Sequence, residues 1–232
     1  CFDFCKIEAS NDSATVLEVG SGCLLDEAIT WMLNNKLVGL EGLSGIPGTV
    51  GGAVVLGIYF YDYNLEDSLV GALVWDFSKR AFLKISKKEL LSLKEKFISG
   101  ELFLVSIFIK TSKAESEQKL LDAKKTRKNV LSKREVYPSE RNCGFFFRDF
   151  KKEEVLEFGL ESESVNKILW QLEITGKKIN SGAMVSSAHP NVILSLPGGS
   201  SQDVLDLAFE IQSLAESKFG AKLQFACRVV GR

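Results

Sequence analysis

The chain has 232 residues, 45% hydrophobic and 25% charged, with 29 Lys and Arg against 30 Asp and Glu for a net charge of −1. These values exclude disorder, collagen and coiled coil, and they leave no global positive field for nucleic acid or an anionic membrane. No apolar run reaches the roughly 18 residues of a membrane-spanning helix, and the length suits one large domain or two small ones.

Strand signals open the chain at 2–7 and 14–19, and Gly20-Ser-Gly22 turns it. Helical spacing follows over 24–34, with Leu25, Ile29, Met32 and Leu33 near one face. Residues 38–53 then carry six glycines and Pro47 among apolar residues. Two β-rich runs at 68–77 and 81–85, joined by Ser78-Lys79-Arg80, predict a hairpin. A helix is expected over 87–96, a strong strand over 102–110, and a polar, basic helix over 114–131. Further on, a short strand is expected at 143–147 and a helix over 151–172 with a break at Gly159. Strands are expected at 179–185 and 192–196, an amphipathic helix at 201–219 stopped by Gly220, and a closing strand at 223–230. Strands and helices mix without regular βαβ alternation, which predicts an α+β fold. The basic helix suggests two lobes, residues 1–112 and 113–232, the second an α/β lobe with a sheet and helices on one side.

Cys1, Cys5, Cys23, Cys143 and Cys227 are scattered and odd in number, and the chain has one histidine. That pattern argues against a metal site and fits a reducing, cytoplasmic compartment. A first residue that is not methionine reads as a chain whose start is missing, with a processed lipoprotein as the alternative.

Glycine is costly to order, so the density at 38–53 implies backbone meeting something closely. Gly45, Gly48, Gly51 and Gly52 could let N–H groups approach a phosphate, with Ser44 and Thr49 adding hydroxyls. Equally, the stretch could be a turn that packs two elements together. Its spacing is neither a P-loop nor a Rossmann fingerprint.

The string Gly42-Leu-Ser-Gly-Ile-Pro-Gly-Thr-Val-Gly-Gly-Ala53 closely resembles the flavin-binding segment of the UDP-N-acetylenolpyruvoylglucosamine reductase (UDP-N-acetylmuramate dehydrogenase) family. Ser181-Gly-Ala-Met-Val-Ser186 with His189, Pro190 and Asn191 is similar to a second family string, and Arg228-Val-Val-Gly231 to its ending. The resemblance runs in order over nearly the whole chain. It implies a partial flavin-binding domain of the PCMH/VAO type followed by a substrate-binding lobe. It also implies FAD held at Gly45, Ile46, Pro47, Gly48, Thr49, Val50, Gly51 and Gly52, NADPH as reductant, and a UDP-sugar substrate met by Asn142, Arg148, His189 and Asn191. In the family's reaction, flavin reduced by NADPH passes hydride to an enolpyruvyl group of a peptidoglycan precursor. A glutamate and an arginine stabilise the enol(ate), and a serine protonates it.

Several family positions differ here. The acid serine falls on Phe145 within Asn142-Cys-Gly-Phe-Phe-Phe-Arg148, the glutamate on Ala226, and the substrate arginine on Lys94. Cys143 stands two residues from Phe145, either as a substitute acid or as a buried core thiol. The family's small-residue string after the glycine loop becomes Gly57-Ile-Tyr-Phe-Tyr-Asp62, whose Ile58, Tyr59 and Phe60 should crowd a flavin ring. The upstream G-x-G-S-N string is not found. The resemblance thus implies an impaired catalyst with weak or absent FAD binding, or a non-catalytic relative that binds a nucleotide-sugar or a partner. On its chemistry alone, His189 before Pro190 reads more readily as a hydrogen-bonded structural residue than as a catalyst. The basic run 124–134 is read as a solvated helix face, with contact to UDP phosphates as the alternative.

Overall fold

The computed structural model describes residues 3–10, 14–134 and 140–230; Cys1, Phe2 and Gly231 lie outside them. The chain divides into two compact units, Cys1–Arg134 and Glu135–Arg232.

The first unit opens with β1 (Cys5–Ser10), β2 (Thr15–Gly20), α1 (Leu25–Asn34), β3 (Leu37–Val38), a 3-10 turn (Glu41–Leu43) and α2 (Val50–Leu56). A tight hairpin, β4 (Tyr59–Phe60) and β5 (Tyr63–Asn64), leads to α3 (Leu65–Ser68). Then come β6 (Leu69–Asp76), β7 (Ala81–Ser86), α4 (Lys87–Ser92), α5 (Lys94–Ser99), β8 (Leu102–Lys113) and α6 (Glu117–Arg134). The main sheet is antiparallel in the order β1-β2-β8-β6-β7, with β3 also pairing β8.

Central β8 is buried on both faces from Leu104 to Ile109. On the core side Ile107 and Ile109 belong to one buried cluster with Leu17, Val50 and Val54. On the opposite side long polar side chains cover the sheet. The Lys84 ammonium lies 4.3 Å from the centre of the Phe108 ring. The Glu18 carboxylate accepts from the Ser106 hydroxyl at 2.6 Å and pairs with Lys6 at 2.7 Å.

The predicted helix over 87–96 is two helices, α4 and α5, that part at Leu93. A capping box starts α4: Ser86 Oγ accepts the Glu89 N–H, and the Glu89 carboxylate accepts the Ser86 N–H. The lobe boundary expected at 112/113 instead follows Arg134, because α6 is fastened to the first unit. Its Arg127 guanidinium donates to Asp26 Oδ2 at 2.7 Å on α1 and to Ser44 Oγ at 2.9 Å beside the 3-10 turn.

The second unit holds α7 (Lys152–Phe158), α8 (Val165–Gln171), β9 (Ala183–Val185), β10 (Ile193–Ser195) and α9 (Ser201–Phe219). Phe146, Phe147, Leu169, Val185 and Ile211 lie in its core. The long helix α9 buries Leu205, Ala208, Ile211 and Ala215 along one stripe. Ser200 and Asp203 cap its start, and Gly220, at φ 66°, ends it.

The second unit does not form the expected α/β lobe. The described sheet of this unit is a two-stranded antiparallel ladder of β9 and β10. The strands expected at 143–147 and 223–230 make only isolated bridges among the described residues, Phe145 with Val192 and Phe147 with Phe225. The segment 145–148 switches partners residue by residue, so neither side builds a continuous ladder. The Phe146 N–H donates to the Asn191 carbonyl, while the Arg148 N–H donates to the Gln224 carbonyl. Among the described residues no helix is long and apolar enough to cross a membrane.

Candidate functional site

The glycine loop lies between α1 and α2, and most of its glycines meet this chain's own atoms. A Cβ on Gly42 would overlap the Tyr63 ring, which rests on that backbone. One on Gly45 would meet Leu131 Cδ2 at 2.7 Å, and one on Gly51 the Ser21 carbonyl oxygen at 2.9 Å. The N–H groups are engaged in the same way. Gly45 donates to Asp26 Oδ1 at 2.8 Å, Ile46 to the Leu43 carbonyl, Val50 to the Cys23 carbonyl at 2.8 Å and Gly51 to the Ser21 carbonyl at 2.9 Å. Gly52 donates to Thr49 Oγ1 at 3.2 Å, which caps α2.

Pro47, Gly48 and Gly52 are exposed. Gly48, at φ 111°, has nothing within 4 Å of a Cβ position, and at Gly52 the nearest such atom is Thr49 Oγ1 at 3.5 Å. Gly48 and Gly52, with Thr49 between them, therefore leave an open face on the loop. The amides of Gly45, Ile46, Val50 and Gly51 are donated inward.

Aromatic and basic side chains gather beside this loop. Arg134 of α6 stacks 3.9 Å from the centre of the Phe60 ring, and Lys133 lies 4.5 Å from that of Tyr61. The C-terminal end of the basic run thus covers the 59–64 hairpin and does not project into solvent along its whole length. Lys94, in the same unit, pairs with Glu66 at 2.6 Å, close beside Gly57.

The remaining candidate residues converge in the second unit. Segment 145–148 runs between 191–192 and 224–226, so Phe145, Arg148, Asn191 and Ala226 come together. The exposed Phe145 ring stacks on the His189 imidazole with centroids 4.7 Å apart and planes at 25°. The Trp170 ring meets His189 edge-on at 6.0 Å. His189 Nδ1 accepts the Asn191 N–H at 3.2 Å, which assigns the neutral ring as the Nε2–H tautomer. Burial holds its pKa below the ordinary histidine value.

Asn191 is buried, and its side chain grips the Phe147 backbone. Arg148 makes a bidentate pair with Glu154 at 2.8 and 2.6 Å. The Arg148 hydrogen bonds are the leading cause that lowers the Glu154 carboxyl to about 2. The Asn142 side chain accepts the Gly144 N–H and donates to the Glu140 carbonyl. Ala226 is exposed, and its N–H donates to the Phe146 carbonyl at 2.8 Å. Cys143 is exposed, so it is not the core thiol expected of it; partial desolvation, with Cys227 close by, raises the thiol to about 11, which makes it a poor acid at neutral pH. Trp170 and Glu154 escaped the sequence reading. Trp170 is 19 residues from His189 in the chain, and no local pattern joins them. The Glu154 signal was readable, as the third helical residue of α7 after Lys151.

An antiparallel sheet carrying a glycine loop, followed by a separate small unit with a mixed helical and β core, defines an α+β two-unit protein. Residues 137–230 match the family described as UDP-N-acetylenolpyruvoylglucosamine reductase, C-terminal domain. The chain is 28% identical over 225 residues to the UDP-N-acetylenolpyruvoylglucosamine reductase of Agathobacter rectalis, covering 96% of this chain and 67% of the relative. It is 26% identical over 231 residues to that of Rickettsia prowazekii, covering 99% and 72%. The crystal structure of UDP-N-acetylenolpyruvylglucosamine reductase from Thermus caldophilus shares the fold, with a TM-score of 0.71 at 22% identity over 91% of this chain and 71% of that one. Over nearly its whole length the chain is thus similar to UDP-N-acetylenolpyruvoylglucosamine reductases, and residues 137–230 match their C-terminal domain.

Proposed function

We propose that this chain is a cytoplasmic member of the reductase family of peptidoglycan precursor synthesis in which reduction of the enolpyruvyl group is impaired. The observation that carries the reading is the stack of Phe145 on His189, since the family resemblance sets Phe145 against the acid serine. A phenyl ring has no proton to give. Ala226, at the glutamate position, brings a methyl group where developing negative charge needs support. Arg148 keeps its charge, but Glu154 already accepts both of its terminal nitrogens. Lys94 is likewise held by Glu66 and lacks the planar fork of an arginine.

FAD reduced by NADPH would supply the hydride in the family's reaction. Of this chain's residues, Gly48, Thr49 and Gly52 support close approach of such a group, and the inward amides of Gly45, Ile46, Val50 and Gly51 do not. With those amides already engaged within the chain, the binding proposed is weak.

A second reading, a non-catalytic binder of a nucleotide-sugar, rests on the exposed rings of Phe145 and Trp170, both of which contact His189. A planar base could stack on such rings.

The test is a turnover assay with NADPH, FAD and UDP-N-acetylglucosamine enolpyruvate. Loss of a positioned acid costs about 10²–10⁴-fold, and loss of a charge-stabilising group about 10²–10³-fold, without strict additivity. No turnover is expected; a gain in the double variant Phe145→Ser, Ala226→Glu when the flavin domain is supplied whole would show that only the chemistry had been lost. A normal rate in the parent chain would overturn the proposal. Saturable binding of the UDP-sugar without turnover would favour the second reading.

A further inference from the structure

Two free thiols of the first unit lie outside the glycine loop and the Phe145–His189 site. Cys5 Sγ and Cys23 Sγ lie 3.7 Å apart, within sulfur hydrogen-bond range. Cys5 sits at the start of β1 and is half-buried, and Cys23 is buried in the turn after β2. The backbone holds them in place. Cys5 pairs in register with Val19, the Gly20 N–H donates to the Phe4 carbonyl at 2.8 Å, and the Cys23 N–H donates to the Gly20 carbonyl at 3.1 Å. The sulfurs are about 1.7 Å from bonding distance, a closure within reach of side-chain rotation.

We propose that Cys5 and Cys23 form a two-thiol oxidation site, converted reversibly to an intramolecular disulfide by a small disulfide oxidant such as oxidised glutathione. The thiolate of Cys5, the more accessible of the two, attacks one glutathione sulfur. One glutathione leaves as thiolate and takes up the proton that Cys5 has lost. Cys23, deprotonated in turn, attacks Cys5 Sγ and expels the second glutathione, which takes up the second proton. The protein loses two electrons and two protons, and one glutathione disulfide becomes two glutathiones.

Burial raises both thiols, Cys23 to about 12, and the nearby Asp3 carboxylate adds to the shift. The pair is therefore a dithiol at neutral pH, and the first attack is slow. The second attack is intramolecular between sulfurs already in contact, which favours the disulfide over a persistent mixed adduct. The bond would close residues 5–23 into a loop and tie edge strand β1 to the turn that supports the glycine loop. The Cys23 carbonyl accepts the Val50 N–H, and the Ser21 carbonyl accepts the Gly51 N–H.

The test uses the whole chain, fully reduced and then incubated with oxidised glutathione for hours. Remaining thiols are alkylated, and the digest is mapped by mass spectrometry. The expected product is a peptide pair cross-linked through Cys5 and Cys23, two hydrogens lighter than the free thiols and released by dithiothreitol. Its melting temperature should exceed that of the reduced protein by several degrees, since the cross-link restrains the unfolded chain. The Cys5→Ser variant should lose both the cross-link and the gain. Recovery of Cys5 and Cys23 as free thiols would overturn the proposal. So would separate glutathione adducts on the two, or a cross-link confined to Cys143 and Cys227. Mapping of the parent chain decides even if the variant does not fold.

Discussion

The Asn191 side chain closes on the Phe147 backbone from both ends. Its carbonyl oxygen accepts the Phe147 N–H at 2.8 Å, and its amide donates to the Phe147 carbonyl at 2.9 Å. A side chain thus does the work of a neighbouring strand where segment 145–148 has no ladder. Replacing Asn191 by Ala leaves two buried backbone groups without partners. The expected cost is about 2–4 kcal/mol, read as a lower urea midpoint. An unchanged midpoint would show that the contact is not structural and would return Asn191 to the list of ligand-binding candidates.

His189 is the single histidine of the chain, so its titration is an isolated NMR signal. Burial lowers its pKa, which makes the folded state bind fewer protons than the unfolded state below about pH 6.5. Stability should therefore fall as pH drops from 6.5 toward the folded-state value and level off below it. Phe145→Ala uncovers one face of the ring and should move the His189 titration upward, toward the ordinary value. A titration indifferent to Phe145 would show that the stack does not shield the imidazole in solution.

Two adjacent glycines of the loop should respond in opposite ways. A Cβ on Gly51 meets the Ser21 backbone at 2.9 Å, so Gly51→Ala forces the turn and α2 apart, at about 1–3 kcal/mol. Gly52 faces open space within α2, and Gly52→Ala should stabilise by about 0.5–1 kcal/mol. Thermal melts of the two variants give both signs directly. If FAD binds at all, Gly52→Ala should weaken it, because the added methyl occupies the open side.

The assignment of α6 to the first unit can be tested by cutting the chain. A fragment ending at residue 134 should melt cooperatively. One ending at 112 loses Arg127 and leaves Asp26 and Ser44 without its guanidinium. The shorter fragment should melt earlier or be digested by protease at α1 and the glycine loop. Equal stability of the two would restore the boundary at 112/113.

Much of the architecture was legible in the residues alone, because it rests on local rules. Alternating apolar residues with the Ser78-Lys79-Arg80 turn marked the β6–β7 hairpin, and the Ser200 cap with the Gly220 stop marked α9. The family strings were equally local, and it is on that resemblance alone that Phe145 and Ala226 are set against the family's acid serine and glutamate. The use of the glycines was not legible. Their density announces close backbone approach, but only the fold decides whether the approaching group is a ligand or Tyr63, Leu131 and Ser21 of the same chain. The same holds for Asn191 and the thiols of Cys5 and Cys23. Their partners lie 18 to 44 residues away, and hydrogen bonding and contact depend on distances that only long-range packing sets.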